Sequence, residues 1–574
     1  MTPTAPASAS APEAAPPGGD RLLLAALRAA APRTAALVLI AVASTGAALL
    51  LPAVLGHTLD LLLAKRVGTR WVLLCAALVC VPAVLDALGE YLTATTTART
   101  TARMRRSALD HVLAAGPRAT ARMTPGDLVT RLVGNAAQAG TAPATVAGTV
   151  TAVVGPIGGI VALALLDPWL ALVFLAGAPL LALLLRAFTR ASTDSLAGYQ
   201  RLQGEIAGRL MEAVGGVRTI AAAGTAARER DRVLEPLPGL SRHGHRMWRV
   251  QGRSSAQATA LVPLLQIAVL AVAGLELSRG RLSVGDLLAA SRYAVLATGV
   301  GMLVGHLGAL VHGRTAARRL AEVHALPPTV HGTRRLPADG DGTLRLRGVA
   351  AERGGRAVLR GVDLVVPGGS TTAVVGRSGT GKSVLAELAG RLADPDAGEI
   401  TLDGVPLREL AHDELRRQVG YAFARPALLG GTIGGTLAFG SFAPPPEAVV
   451  HAARAACADD FVRRLPDGYD TACAAAPLSG GEAQRLGLAR AFAHAGRLLI
   501  LDDATSSLDS VTESRVSDAL LHAVTARTRL IVAHRVATAE RADCVAWLDG
   551  GRVRAVGPHA ELWRLPGYRA VFGG

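Results

Sequence analysis

The chain has 574 residues, half of them apolar, with 60 basic against 44 acidic side chains, a formal net charge of +16 and a mean hydropathy of +0.36. Hydropathy this high excludes a disordered protein, and five scattered cysteines without Cys/Cys or Cys/His spacing exclude a disulfide scaffold and a zinc module. Only Lys65 and Lys382 among the basic residues are lysine; the rest are arginine in an Ala/Gly-rich chain, a coding-bias pattern rather than a nucleic-acid-binding patch.

Residues 1–20 are Ala/Pro/Ser/Gly-rich without periodicity and read as a disordered tail, with no secretory signal pattern. Residues 21–31 form a short amphipathic piece, stopped by Pro32, suited to a membrane interface. Apolar stretches able to cross ~30 Å of hydrocarbon follow at about 34–55, 71–92, 143–165, 169–188, 258–277 and 286–310. Short turns at Lys65–Arg70, Asp167–Trp169 and Ser278–Arg281 mark one membrane face. The long stretches 93–140 and 189–257 are helical in pattern and arginine-rich; Arg99, Arg103, Arg105, Arg106, Arg118, Arg122 and Arg131 lie in the first. Positive charge marks the cytoplasmic side, so both termini and both long loops are expected inside a multi-pass protein of the cytoplasmic membrane.

Within the spans, Asp86 and Glu90 share one helical face. With Gln266 and Arg292 they are candidates to line one solute cavity, the carboxylates favouring a cationic or amphipathic solute. A structural Asp–Arg pair is the alternative. The expected division is a transmembrane domain over 21–320, a linker over 321–342, and a soluble α/β domain over 343–574, where strand and helix patterns alternate without a membrane-length run.

The strongest motif is Gly376-Arg377-Ser378-Gly379-Thr380-Gly381-Lys382-Ser383, which follows a strand (371–375) and opens a helix. Its glycines let backbone amides close around phosphates, with Lys382 on the β- and γ-phosphates and the Ser383 hydroxyl on Mg²⁺. Downstream, the apolar run 498–501 ends in Asp502 and Asp503, which places Asp502 to hold the metal. Between them stands Leu478-Ser479-Gly480-Gly481-Glu482.

On these residues the chain resembles the ATP-binding cassette (ABC) family, and specifically its exporter-type half-transporters: LSGGE is similar to the family's signature segment. Asp509 in Ser507-Leu508-Asp509 then resembles the D-loop aspartate, and His534 in LIVAHR the switch histidine. Residues 124–132 and 202–224 resemble coupling regions of the membrane half. The resemblance implies an α-helical six-span domain fused to an α/β P-loop cassette, with ATP and Mg²⁺ as cofactors. It implies a nucleotide sandwich in which one chain's P-loop faces the other's Ser479-Gly480-Gly481-Glu482, so a second half-transporter is required, and an unidentified solute is moved through the bilayer. No nucleic-acid partner is implied. Import, as in siderophore-type systems on this architecture, and a regulatory subunit with little turnover stay open.

Four positions depart from the family pattern. Asp503 stands where the catalytic glutamate belongs, Ala424 where the Q-loop glutamine belongs, and Arg353 where an aromatic residue stacks on adenine. The stretch before Leu478 is short and lacks the family's acidic Gly-Glu. An aspartate with an intact signature resembles the degenerate-site subunit of a heterodimeric exporter: Asp503 and His534 then serve a slow site of its own, and Ser479 and Gly481 complete the partner's site; drift in an ordinary transporter and a homodimer with slow turnover are the alternatives.

Overall fold

The computed structural model describes residues 18–66, 68–121, 123–524 and 527–573. The expected disordered tail therefore lies, over residues 1–17, outside the described residues, as does Arg122; residues 18–20 are helical, not part of the tail. The chain divides into two compact units, one of residues 18–110 and 125–325, the other of residues 111–124 and 326–573.

The first unit is helical. After α1 (Gly18–Ala29) come α2 (Ala31–Leu63), α3 (Thr69–Thr120), α4 (Ala142–Leu166), α5 (Pro168–Gly215), α6 (Leu237–Ser278), α7 (Val284–Ala297) and α8 (Val300–His324). Each predicted span falls within these rods, the sixth being broken between α7 and α8 at Thr298-Gly299. Their apolar windows carry hydropathies of 2.1 to 2.4 in the three most apolar regions and are largely unburied by protein, as a surface facing lipid requires.

Small residues set the packing. At Gly56 on α2 and Gly285 on α7 the backbones approach so closely that a Cβ on either would overlap the other's carbonyl. The Asp60 carboxylate fastens this crossing, accepting hydrogen bonds from the Ser283 hydroxyl (2.6 Å) and the Gly285 N–H (2.8 Å). Ser283 and Asp286 form a capping box at the start of α7. Tyr293 then donates to the Leu49 carbonyl at 3.0 Å, so α7 is tied to α2 at both levels. The helix α1 is held on α8 by the Asp20–Arg314 pair. In the predicted coupling region, Arg131 pairs with Asp127 (2.9 Å) and with Glu322 of α8 (2.5 Å).

The second unit is α/β. A parallel core sheet has the order β10-β9-β3-β8-β7-β6, with β10 (Arg552–Gly557) antiparallel to β9 (Cys544–Asp549). Its strands β3 (Thr371–Val375), β8 (Thr528–Val532) and β7 (Leu498–Asp502) are mostly apolar and almost wholly buried, as strands covered on both faces must be, and β6 (Val419–Phe423) closes that edge with Phe423 exposed. An antiparallel sheet, β2-β1-β4-β5, is built from β1 (Leu344–Arg353), β2 (Arg356–Val366), β4 (Ala397–Leu402) and β5 (Val405–Pro406). Residues 111–124 belong to this unit although they fall inside the expected transmembrane domain. They turn at Gly116 (φ 77°), and Arg118 donates to the Asp394 carbonyl (2.7 Å) and pairs with Asp396.

Substituting Gly285→Val is expected to lower thermal stability by about 1–3 kcal/mol, because overpacking forces α2 and α7 apart. Gly274→Ala, where an added Cβ meets nothing, is expected to stay within about 0.5 kcal/mol. Thermal melting of the detergent-solubilised chain compares the two.

Candidate functional site

The P-loop leaves β3 at Gly376 and enters α9 (Lys382–Ala389) through Gly379 (φ 81°) and Gly381 (φ 100°), conformations that only glycine adopts without strain. Lys382 is buried at the first turn, and its ammonium donates to the carbonyls of Gly376 (2.7 Å) and Arg377 (3.0 Å). Burial pulls its pKa down, and the nearby Asp503 and Asp502 carboxylates oppose that shift.

The strand β7 delivers Asp502 beside the loop. Ser383 donates its hydroxyl to one Asp502 oxygen at 2.8 Å, and Tyr421 of β6 donates to the other at 3.3 Å. Burial pushes the Asp502 carboxyl up, against those two hydrogen bonds. A hydroxyl and a carboxylate converging here, next to an ammonium satisfied only by backbone carbonyls, form a donor set that fits a phosphate-bound Mg²⁺.

Asp503 follows in the left-handed region (φ 55°), which turns its side chain out of the strand. Its carboxylate stands 3.7 Å from His534 Nε2, beyond hydrogen-bond length. The two residues predicted to share one catalytic task are thus brought together across β7 and the end of β8.

The signature forms a capping box. Ser479 caps α10 (Gly480–His494), accepting from the Glu482 N–H at 3.3 Å, while the Glu482 carboxylate accepts from the Ser479 N–H at 2.8 Å and hydroxyl at 2.7 Å. These bonds hold the Glu482 carboxyl below the ordinary glutamate range. Gly480 and Gly481 open the helix, at positions where backbone N–H groups have no intrahelical acceptor. Among the described residues no hydrogen bond or ion pair joins Ser479–Glu482 to the P-loop of the same chain.

Two predicted ligands have other partners. Asp509 caps α11 (Ser510–His522), accepting from the N–H groups of Val511 (3.1 Å) and Thr512 (2.9 Å). Arg353, at the position expected to meet the base, pairs with Glu387 of α9 at 2.9 Å, one turn beyond Ser383. Its neighbour Glu352 donates its N–H to Asp396 (2.7 Å), the carboxylate that Arg118 holds.

Gln484 was not legible beforehand. It is buried, and its Nε2 donates to the carbonyls of Ala424 (3.0 Å) and Asp503 (3.3 Å) and to the Ser506 hydroxyl (3.1 Å). Its Oε1 accepts from the Ser507 N–H at 2.9 Å. One amide therefore joins the signature helix to two loops, the one after β6 and the one between β7 and the helix that begins at Ser510. A lone polar residue on the face of α10 that carries Leu488 was the only signal for it.

In the helical unit, Asp86 and Glu90 line a cavity of about 430 Å³ with Ser44 and His306, and Ser44 donates to Asp86 at 2.6 Å. Arg292 does not share it: it lines a separate, apolar cavity beside Cys75 and Cys80. Gln266 lines neither. The expected single cavity is corrected on this point: both cavities lie between α2 and α3, but Arg292 meets them at Ala48–Leu55 and Val72–Cys80, a different level along the helices from Asp86 and Glu90, which lie beside Leu37–Thr45.

Comparison with known proteins agrees with this architecture. The ABC transporter transmembrane region model matches residues 34–299 and the ABC transporter model residues 359–506. The ABC transporter ATP-binding protein RamA of Streptomyces coelicolor is 54% identical over 93% of this chain and 84% of its own length. The chain therefore belongs to the ABC transporters, as a helical transmembrane domain fused to an ATP-binding cassette. An ATP-dependent lipid A-core flippase of Chromohalobacter salexigens is 32% identical over 72% of either chain. A multidrug efflux ATP-binding/permease protein of Mycobacterium tuberculosis is 37% identical over 65% of this chain but only 32% of its own length. A bacterial Atm1-family ABC exporter solved with ATP bound shares the fold at a TM-score of 0.78 and 23% identity, over 96% of this chain and 98% of that one.

Replacing Gln484 with leucine keeps the volume and strands its buried partners, so a stability loss of about 1–3 kcal/mol is expected. The P-loop contacts are untouched, so affinity for a fluorescent ATP analogue is expected to stay within about twofold. Melting and titration of the purified chain read both.

Proposed function

We propose that this chain is the degenerate-site half of a heterodimeric exporter: it binds ATP in its own P-loop, turns it over slowly, and lends its signature to the competent site of a second half-transporter. The observation that carries this reading is the contrast between a fully formed Ser479–Glu482 capping box and an Asp503 carboxylate that stands 3.7 Å from His534. A glutamate would reach one methylene further, and a misplacement of ~1 Å can cost about 100-fold in rate.

Hydrolysis adds water to the γ-phosphorus and breaks its bond to the bridging oxygen, releasing ADP and phosphate. Ser383 and Asp502 would hold Mg²⁺, which would neutralise phosphate charge when bound. Lys382 exchanges its two carbonyl partners for phosphate oxygens, and its burial strengthens that interaction. Asp503 holds the attacking water, with His534 standing 3.7 Å from its carboxylate. With Ala424 at the Q-loop position, no side-chain amide from that loop helps, which further supports a slow site. Arg353, already neutralised by Glu387, offers a guanidinium plane to the base in place of an aromatic ring.

The membrane unit carries the solute path. The boundaries drawn from sequence, with both termini and both long loops on the cytoplasmic side, are part of this proposal. The cavity of Asp86, Glu90 and His306 suits a cationic group on the cargo, since carboxylates at membrane depth are costly without a counter-charge.

In lipid nanodiscs the chain alone is expected to hydrolyse ATP barely above background. Asp503→Glu is expected to raise that rate by about 100-fold. Mixing the wild-type chain with a half-transporter that has the catalytic glutamate and an eroded signature restores turnover, and Ser479→Arg in this chain abolishes it. Robust turnover by the wild-type chain alone overturns the asymmetric reading.

For the solute, Asp86→Asn with Glu90→Gln is expected to cut transport of cationic amphiphiles by about tenfold, roughly one lost ion pair. Basal ATPase is expected to stay unchanged. Fluorescent-dye uptake into inverted vesicles measures the first.

A further inference from the structure

Arg292 is the single charged residue lining an otherwise apolar cavity of about 850 Å³ between α2, α3 and α7. Leu51 and Leu55 of α2 and Val79 of α3 form its walls, and Cys75 and Cys80 open onto it. Arg292 has no hydrogen bond or ion pair to any described residue. The carboxylates Asp86 and Glu90 line the other cavity and do not serve it.

The depth matters. Arg292 lies eight residues into α7 from Val284, about 12 Å from the polar turn at 1.5 Å per residue. That is well inside a hydrocarbon layer of ~30 Å. A lone guanidinium at such depth is costly, and intramembrane arginines are otherwise paired or face a polar ligand. Guanidinium matches carboxylate and phosphate with two parallel hydrogen bonds. The rest of the cavity offers only apolar wall, long enough along α2 and α3 to cover a methylene chain.

We infer that this cavity binds an anionic amphiphile, its carboxylate or phosphate head on Arg292 and its alkyl chain against α2 and α3. The site is distinct from the Asp86–Glu90–His306 cavity, and it does not depend on the asymmetric ATPase reading. Head and chain together are shared by a membrane phospholipid and by an acidic amphiphilic cargo.

Cys75 and Cys80 provide the readout, because a chain seated in the cavity shields them. The full-length protein in phosphatidylcholine nanodiscs is labelled with a maleimide, without nucleotide, and the Cys75 and Cys80 peptides are followed by mass spectrometry. Dodecyl phosphate is expected to slow labelling about tenfold more than dodecanol or dodecyltrimethylammonium, as one charge-assisted contact implies. Arg292→Gln is expected to remove that preference and Arg292→Lys to keep most of it. Equal protection by dodecyl phosphate and dodecanol in the wild type overturns the proposal. So does an unchanged preference in Arg292→Gln. If the glutamine variant fails to fold, the wild-type comparison of the three head groups decides alone. Protection by phosphatidylglycerol built into the disc identifies membrane lipid as the occupant; protection by dodecyl phosphate alone identifies cargo. Both support the site.

Discussion

The parallel register of β3, β8 and β7 is the constraint on which the cassette depends. Thr371–Val374 pairs with Arg529–Val532, and Leu498–Asp502 pairs with Thr528–Val532. All three strands therefore end at one edge, where the P-loop, Asp502, Asp503 and the chain leading to His534 emerge together. Side chains alternate along a strand, so a slip of one residue in β7 turns Asp502 away from Ser383 and buries a carboxylate without a partner. The apolar, doubly covered strands make such a slip expensive, and that cost secures the chemistry.

The two units solve the problem of buried charge in related ways. In the cassette, the ammonium of Lys382 rests on two carbonyls and the carboxylate of Asp502 on two hydroxyls. Each group is satisfied and yet ready to exchange partners when phosphate and metal arrive. In the helical unit, Asp60 and Asp86 accept bonds from neighbouring helices and so act as fasteners. Asp86 also lines a cavity, as do Glu90 and Arg292, so Asp60 is structural charge whereas the other three face space open to a ligand.

The departures from the family pattern are local. On the proposed reading the phosphate cradle and metal donors are complete, whereas the positions proposed for base recognition, the Q-loop amide and the catalytic carboxylate each depart from the family pattern. Gln484 bears on two of those three positions, holding the backbone of Ala424 and of Asp503. The loops thus keep their places although their side chains have changed. Arg118 adds a link of another kind, since it reaches Asp396, which holds the backbone beside Arg353.

What the sequence determined by itself is the chemistry that needs contiguous residues. A phosphate cradle requires glycines, a lysine and a hydroxyl within one turn, and a membrane span requires an unbroken apolar run, so both were legible without a structure. The Ser479–Glu482 cap is equally local. Tertiary structure alone decided the pairings between distant positions. Tyr421 reaches Asp502 from a neighbouring strand, Gln484 joins two loops, and residues 111–124 fold with the cassette rather than with the helices before them. It also placed Arg292 in a different cavity from Asp86 and Glu90. Hydropathy marks a span, but which residues of neighbouring helices meet at one level depends on how the helices cross, and in this chain close glycine contacts such as Gly56–Gly285 set that crossing.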